Sequence, residues 1–292
     1  MKILLFGKNG QLGFELQRSV AGLGEVIALD RNSQNFCGNL SNLQGIAASI
    51  REANPDIIIN AAAYTAVDKA EDEHDLVNLI NAQAPGVMAE GAKKVGALLV
   101  HYSTDYVFDG SGDRPWKETD TPAPLNIYGA SKLAGEKAIQ SSGCRHYIFR
   151  TSWVFGAHGN NFIKTILRLA QEREILRIVN DQIGAPTSAT FLADATGQIL
   201  RHRPEANDLY HLAAHGEVSW YDYTRFILER AQAKGIDLKC APENVTPIPS
   251  TAYPTPALRP LNSRLNTSKA EQVFGLEIPK WQKDVEKILS TT

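Results

Sequence analysis

Tyr128-Gly129-Ala130-Ser131-Lys132 carries the most pointed chemistry in this chain. On a helix, residues four apart share a face, so the Tyr128 phenol and the Lys132 ammonium would stand side by side. A free phenol, with a pKa of about 10, is a poor acid at neutral pH. A neighbouring cation stabilises the phenolate and lowers that value. The tyrosine could then protonate a carbonyl oxygen while hydride arrives at the carbon, acid catalysis worth about 10²–10⁴-fold in rate. Alone, Y-x-x-x-K often arises by chance, and a surface tyrosine beside a solvated lysine is the plainer reading. A second donor lies upstream. Ser103-Thr104-Asp105-Tyr106 follows an apolar run, and open α/β sheets bind ligands at the carboxyl ends of their strands. The Thr104 hydroxyl could hold the same carbonyl oxygen toward Tyr128; capping the strand end is its competing role.

Such a reaction needs a hydride source, and the N-terminus offers a place for one. Gly7-Lys8-Asn9-Gly10-Gln11-Leu12-Gly13 has the spacing G-x-x-G-x-x-G between an apolar run and a helical pattern. Glycines permit the tight turn and bring backbone close to a pyrophosphate, while the helix start supplies N–H groups and a positive dipole end. Asp30 lies 20 residues after Gly10 at the end of the next apolar run, where an acid can accept from an adenosine ribose diol. A structural turn with a surface acid is the alternative. Asp30 favours NAD, yet Arg31 follows it and could pair with a 2′-phosphate, so both NADH and NADPH stay open. The small residues of Asn60-Ala61-Ala62-Ala63 would let a dinucleotide lie against backbone, or simply let a crossover helix pack.

These residues need a frame. The runs Ile3–Phe6, Val26–Leu29, Ile57–Ala61, Leu98–Tyr102 and Tyr147–Arg150 read as strands buried on both faces. Helical patterns at Leu12–Leu23, Leu43–Ala53, Asp75–Val95 and Tyr128–Ser141 alternate with them. That alternation predicts right-handed crossovers and an α/β, Rossmann-like, doubly wound parallel sheet. The second half changes character: helices at Asn161–Glu172 and Trp220–Lys234, a strand at Leu209–Ala213 and a closing helix at Trp281–Leu289. The proline-rich stretch from Pro242 to Pro260 should be irregular and, being apolar and aromatic, should wrap a pocket. Arg259 is the one charged residue between Thr246 and Asn262. A guanidinium can grip a diphosphate in two-pronged fashion, so Arg259 is a candidate substrate ligand; a packed surface loop is the alternative. The expected organisation is a dinucleotide-binding domain over 1–155 with a return segment near 188–213. A smaller interleaved substrate domain would span 156–187 and 214–292.

Bulk properties exclude several classes. Hydrophobic residues make up 43% and charged residues 21% of 292, with a formal net charge of −2, so no basic field recruits nucleic acid. There is no apolar run of about 18 residues to span a membrane. The opening Met1–Gly10 has a lysine and apolar residues, but its glycines favour a first strand over a signal peptide. Cys37, Cys144 and Cys240 are odd in number and scattered, which fits a reducing, cytoplasmic compartment better than disulfides or zinc. His211 and His215 are four apart, but on a strand they would stand too far apart to share a metal. No G-x-S-x-G elbow supports a hydrolase. Trp220-Tyr221-Asp222-Tyr223 reads as a helix start packing the core.

Taken together, Gly7–Gly13, Asn60–Asp68, Ser103–Gly110, Tyr128–Lys132, Arg150–Gly156, Gly184–Thr187 and Arg259-Pro260 with Ser263 and Leu265 resemble the extended short-chain dehydrogenase/reductase superfamily. Within it the chain is similar to the dTDP-4-dehydrorhamnose reductase family. The resemblance implies Tyr128 as proton donor, Lys132 as its pKa modulator and ribose anchor, and Thr104 as carbonyl donor. It implies a dinucleotide held by Gly10, Gln11, Leu12, Asp30, Asn39, Leu40, Ala63, Tyr64, Thr65 and Tyr102, with Ala62 beside them. It implies a sugar nucleotide touching Thr104, Asp105 and Trp153, and NAD(P)H-dependent reduction of a dTDP-sugar 4-ketone to dTDP-L-rhamnose, a cell-envelope precursor. Some relatives are described as homodimers bridged by Mg²⁺ through glutamates. Glu15 matches one such position, but Thr190 stands where another acid is expected and the chain ends Thr291-Thr292, so no metal is expected. A sugar-nucleotide dehydratase or epimerase is the nearest alternative. Related dehydratases carry Asp-Glu after the strand-four threonine; here Tyr106 follows Asp105. A non-catalytic regulatory subunit similar to that of methionine adenosyltransferase is the alternative from another class.

Overall fold

The apolar runs of the first half become the middle of a six-stranded, all-parallel sheet in the computed structural model, which describes residues 1–202 and 207–290. The strands are β1 (Lys2–Phe6), β2 (Glu25–Leu29), β3 (Ile57–Asn60), β4 (Leu98–Thr104), β5 (Arg145–Thr151) and an edge strand, Asp208–His211. Their spatial order is β2-β1-β3-β4-β5-edge. Every residue of β3 and β4 is buried, as a sheet covered on both faces requires. Alternation divides the core. Leu5, Tyr102 and Phe149 pack with Leu16 and Leu192 on one face. Leu4, Phe6, Leu99 and Ile148 pack with Ile50, Met88 and Ile139 on the other. The order reverses between β1 and β3, so the loops after these strands diverge and leave a crevice.

The helix Ile127–Ser142, which carries Tyr128 and Lys132, starts where the Asn126 side chain accepts from Gly129 N–H at 2.8 Å. It stops at Gly143, whose φ of +69° suits glycine. Beside it, the continuous helix expected over Asp75–Val95 is broken. His74–Asn78 and Ala84–Val95 are α-helical, but Leu79–Gln83 forms a π turn. Pro85 lacks an N–H to continue the ladder, and the widened turn frees the Asn81 side chain for other partners. Wide turns of this kind recur at functional sites.

A second, smaller core joins the helices Phe162–Glu172, Trp220–Ala233 and Trp281–Leu289 through Ile163, Ile166, Tyr223, Ile227 and Val285. Asn161 and Ser219 cap the first two of these helices. The units interleave: the helix Ala189–His202 packs on Gln11–Val20, and Ala270, Phe274 and Ile278 return to the first core. The proline-rich stretch is less irregular than its composition suggests. Val245–Ile248 pairs in parallel with Leu176–Val179, with Pro247 opposite Ile178, because a two-stranded ribbon leaves one edge of each strand free of ladder bonds. No helix among the described residues is long and apolar enough to cross a membrane. Cys37, Cys144 and Cys240 are free thiols.

Candidate active site

The turn after β1 is shaped for close approach. Gly7 adopts φ +94°, and a Cβ there would lie 2.8 Å from the Ala62 nitrogen. At Gly13 a Cβ would lie 2.0 Å from the Gly7 carbonyl oxygen, so the helix can sit this tightly on the loop only with glycine. Gly10 caps the helix Gln11–Val20 without a side-chain bond, leaving first-turn N–H groups facing the crevice. A cleft of about 510 Å³ opens there, lined by Gly7, Gly10, Asp30, Arg31, Asn39, Leu40, Ala62, Ala63, Tyr64 and Thr65 among others. Asp30 accepts from Asn32 N–H at 2.9 Å, Ser33 Oγ at 3.2 Å and Asn9 Nδ2 at 2.7 Å, with Lys8 Nζ at 3.4 Å. The Asn32 N–H leads these partners in holding the carboxyl below its ordinary pKa. One acid and two cations, Lys8 and Arg31, thus meet at the far end of the cleft, which suits either a ribose diol or a 2′-phosphate.

Thr104, Tyr128 and Lys132 converge at the carboxyl end of β4. Thr104 is buried; its hydroxyl donates to Asp105 Oδ1 at 3.1 Å and accepts from Tyr106 N–H at 3.2 Å. Burial raises the Tyr128 hydroxyl to about 12, against a lowering hydrogen bond with Thr104 and with Asp105 adding to the rise. The Tyr106 ring packs edge-on against Tyr128, centroids 5.7 Å apart. Lys132 is 2% exposed. Its Nζ donates to the Tyr102 carbonyl at 2.6 Å and lies 3.3 Å from His101 Nε2. Burial lowers its pKa to about 8, with the Glu136 charge opposing. Asp105 is driven up to about 7 by burial, with Ser263 and Thr104 hydrogen bonds working the other way, and its Oδ2 has no partner among the described residues. A carboxyl whose pKa is raised by burial therefore touches the Thr104 hydroxyl.

Trp153 forms part of an aromatic pair. Its φ of +48° is unusual for a side chain of that size, and its ring stacks on Trp220 at 3.5 Å and 11°. The fit requires Gly184, where a Cβ would come within 2.7 Å of the indole. Trp220 starts a helix, as its sequence suggests, and also widens this aromatic platform while donating to Gln182 Oε1 at 3.2 Å. Arg259 lies beside Tyr106, but its fork is engaged: Nη1 and Nη2 reach Asp68 Oδ1 and Oδ2 at 2.9 and 2.8 Å. Asp68 is 191 residues away in sequence.

Three expected cofactor ligands turn their side chains elsewhere. The Tyr102 side chain points into the opposite core, its hydroxyl 2.6 Å from Thr196 Oγ1; strand alternation leaves only its backbone carbonyl on the Lys132 side. Leu12 buries its side chain in the same core and can offer a ligand only its backbone. The Gln11 side chain turns toward the second unit, within 3.5 Å of the Val154 carbonyl and 3.2 Å of Asn161 Nδ2. The residues that sequence reading missed are an amide in the π turn and an imidazole in the middle of β4. Asn81 accepts from Tyr64 N–H and donates to the Tyr64 carbonyl and Ser131 Oγ, so it ties the cleft loop to the Tyr128 helix. His101 stands behind Lys132; its place two residues before Ser103, on the same strand face, was the available signal. His211 and His215 have separate partners, the Trp116 carbonyl and Glu271. Glu15 pairs with Arg18, and Thr291-Thr292 lie outside the described residues.

A family profile described as RmlD substrate binding domain matches residues 1–292. The dTDP-4-dehydrorhamnose reductase of Escherichia coli K12 is 55% identical, across 99% of this chain and 97% of its own. The chain belongs to the dTDP-4-dehydrorhamnose reductase family. Its Burkholderia thailandensis counterpart is 45% identical over 97% of this chain and 96% of its own. The crystal structure of the family member from Clostridium acetobutylicum superposes with a TM-score of 0.91 at 36% identity, covering 100% and 99% of the two chains. That from Bacillus anthracis, in complex with NADP, gives 0.90 at 34%, with the same coverage.

Proposed function

We propose that this protein reduces the 4-keto group of dTDP-4-dehydro-L-rhamnose to give dTDP-L-rhamnose, with NADH or NADPH. One observation carries the reading: Thr104, Tyr128 and Lys132 meet where β4 ends, beside a glycine-walled cleft that fits a dinucleotide. The Gly7–Ala62 approach and the uncapped helix start at Gly10 are the features that fit it. The dinucleotide supplies the hydride. The residues do the rest. First-turn N–H groups after Gly10 meet the pyrophosphate. Asp30 takes a ribose diol, and Lys8 and Arg31 serve a 2′-phosphate. The Lys132 amine anchors the other ribose and, when charged, lowers the cost of Tyr128 giving up its proton. Tyr128 delivers that proton to the ketone oxygen, and the Thr104 hydroxyl orients the same oxygen. Trp153 and Asp105 line the sugar-nucleotide side, and Arg259 reaches its diphosphate by exchanging Asp68 for it.

The dinucleotide lies on residues 1–155 with the return near 188–213, and the sugar nucleotide between these and residues 156–187 and 214–292. The protein acts in the cytoplasm, as a homodimer. Tyr106 in place of a glutamate leaves Asp105 without the second group that elimination needs, which favours reduction over dehydration. The intact Thr104, Tyr128 and Lys132 set favours an enzyme over a regulatory subunit. Incubation with NADPH and either dTDP-4-dehydro-L-rhamnose or dTDP-glucose tests this. The ketone should drive NADPH oxidation and yield dTDP-L-rhamnose; turnover of dTDP-glucose to a 4-keto sugar instead would overturn it.

A further inference from the structure

Behind Lys132 lie two side chains that the reaction above does not use: Asn60 at the end of β3 and His101 in the middle of β4. Asn60 Nδ2 lies 3.0 Å from His101 Nδ1, and Lys132 Nζ 3.3 Å from His101 Nε2. Asn60 and His101 are each 1% exposed. The amide orientation of Asn60 is set by a third contact, since its Oδ1 accepts from Ala62 N–H at 3.2 Å. Its NH₂ group therefore points at His101 Nδ1, which must be the accepting nitrogen of the ring. Burial holds the ring neutral by pushing its pKa well below the ordinary value. A neutral imidazole has one N–H, so that proton sits on Nε2, facing Lys132.

An ammonium has three donors and no acceptor. Facing the Nε2–H, it would set donor against donor. An uncharged amine resolves the conflict: its lone pair accepts from His101 while one of its N–H bonds still reaches the Tyr102 carbonyl at 2.6 Å. We propose that His101, its ring fixed by Asn60, favours the uncharged form of the Lys132 amine in the free protein, so that binding of a dinucleotide ribose is coupled to uptake of a proton at Lys132. The ribose hydroxyls replace the Nε2–H as the facing group and supply acceptors, and the amine takes one proton from solvent. His101 is thus a positioning residue, acting through Lys132.

The surroundings agree. Lys132's own helix brings Tyr128 one turn before it and Glu136 one turn after. Arg150 on β5 takes both Glu136 oxygens, at 2.9 and 2.6 Å, so the nearest carboxylate is already paired. From β3 and the π turn come the amides of Asn60 and Asn81. Burial lowers Lys132 to about 8, in the direction the donor argument requires.

The inference uses the functional reading only for the dinucleotide, and its test needs no sugar nucleotide. NADH, which has no titrating 2′-phosphate, is bound to the protein at about pH 8.5 by calorimetry in buffers of different ionisation enthalpy. With a free-state pKa of about 8, the wild type should take up about three-quarters of a proton per NADH. Lys132→Met should take up almost none. His101→Gln, whose carbonyl can turn to face an ammonium, should take up less than half the wild-type amount. Wild-type uptake near zero, or equal uptake by His101→Gln, would overturn the proposal. A second measurement is made without cofactor: ¹⁵N NMR of the free wild type should show His101 as the Nε2–H tautomer. An Nδ1–H tautomer would equally overturn it. If NADH fails to bind at all, the functional reading falls, while the tautomer still decides the role of His101.

Discussion

Replacing Asp105 with asparagine removes a charge from a place where burial disfavours it. The carboxyl is 3% exposed, with an ordinary value of 3.8 raised to about 7, chiefly by burial. The folded protein therefore binds more protons at this group than the unfolded chain does. Stability falls as pH rises from about 4 and levels off above about 7. Three pKa units at about 1.4 kcal/mol each put the full cost near 4 kcal/mol in order of magnitude. By about pH 5 the wild type has incurred the smaller part of that cost, and by about pH 8 all of it. Asparagine incurs none. Its amide places an N–H or oxygen where Oδ2 has no partner, a penalty of about 1–3 kcal/mol that does not change with pH. The advantage of Asp105→Asn over wild type should thus grow by about 2–3 kcal/mol between these two pH values, whatever its sign at either. Urea unfolding of both proteins at both pH values measures this double difference directly. A difference that stays constant within about 0.5 kcal/mol would show that Asp105 ionises as freely as a surface acid, and the electrostatic picture of the site would fail. The same carboxyl accepts from Thr104, so the variant's kcat should also lose the wild type's pH dependence near 7.

Tyr128→Phe keeps the ring and removes the proton; kcat should fall about 100-fold or more, with NADPH affinity by fluorescence titration within about twofold of wild type, and near-normal turnover would contradict the assignment. Asp30→Ala should weaken NADH more than NADPH, because Lys8 and Arg31 remain for a 2′-phosphate while the diol acceptor is gone; equal losses would remove Asp30 from the ribose site. Arg259→Ala should raise KM for the sugar nucleotide and leave NADH affinity unchanged, and an unaltered KM would leave Arg259 as a structural partner of Asp68.

The parts of this site that could be read from sequence are those fixed by local geometry. Gly7 and Gly13 announce a turn because no other residue fits the contacts found there, and Tyr128 with Lys132 follows from helical spacing alone. Strand positions came from uninterrupted apolar runs, but runs do not mark where pairing stops, so β4 extends two residues further, to the Thr104 that the chemistry needs. The π turn was hidden because apolar spacing continues through Leu79–Gln83, and Asn81 has a function only once that turn aims it at Tyr64 and Ser131. Tyr102 was placed in the cofactor site by resemblance, whereas strand parity puts its ring on the face opposite His101. The Asp68 partner of Arg259 comes from a distant loop, beyond any local pattern. Pro247 suggested irregular chain but lies in a strand, because a two-stranded ribbon leaves an edge where a missing donor costs nothing.

The central claim is that hydride and proton are delivered across one ketone held between Thr104, Tyr128 and the dinucleotide cleft. NADPH deuterated at the reactive face of nicotinamide C4, supplied with dTDP-4-dehydro-L-rhamnose, tests it most directly, with the product sugar read by NMR. The account predicts a single deuterium at C4 of dTDP-L-rhamnose, formed with wild type and lost to background rates with Tyr128→Phe. Deuterium at any other carbon, or labelled product formed equally fast without the Tyr128 hydroxyl, would contradict it.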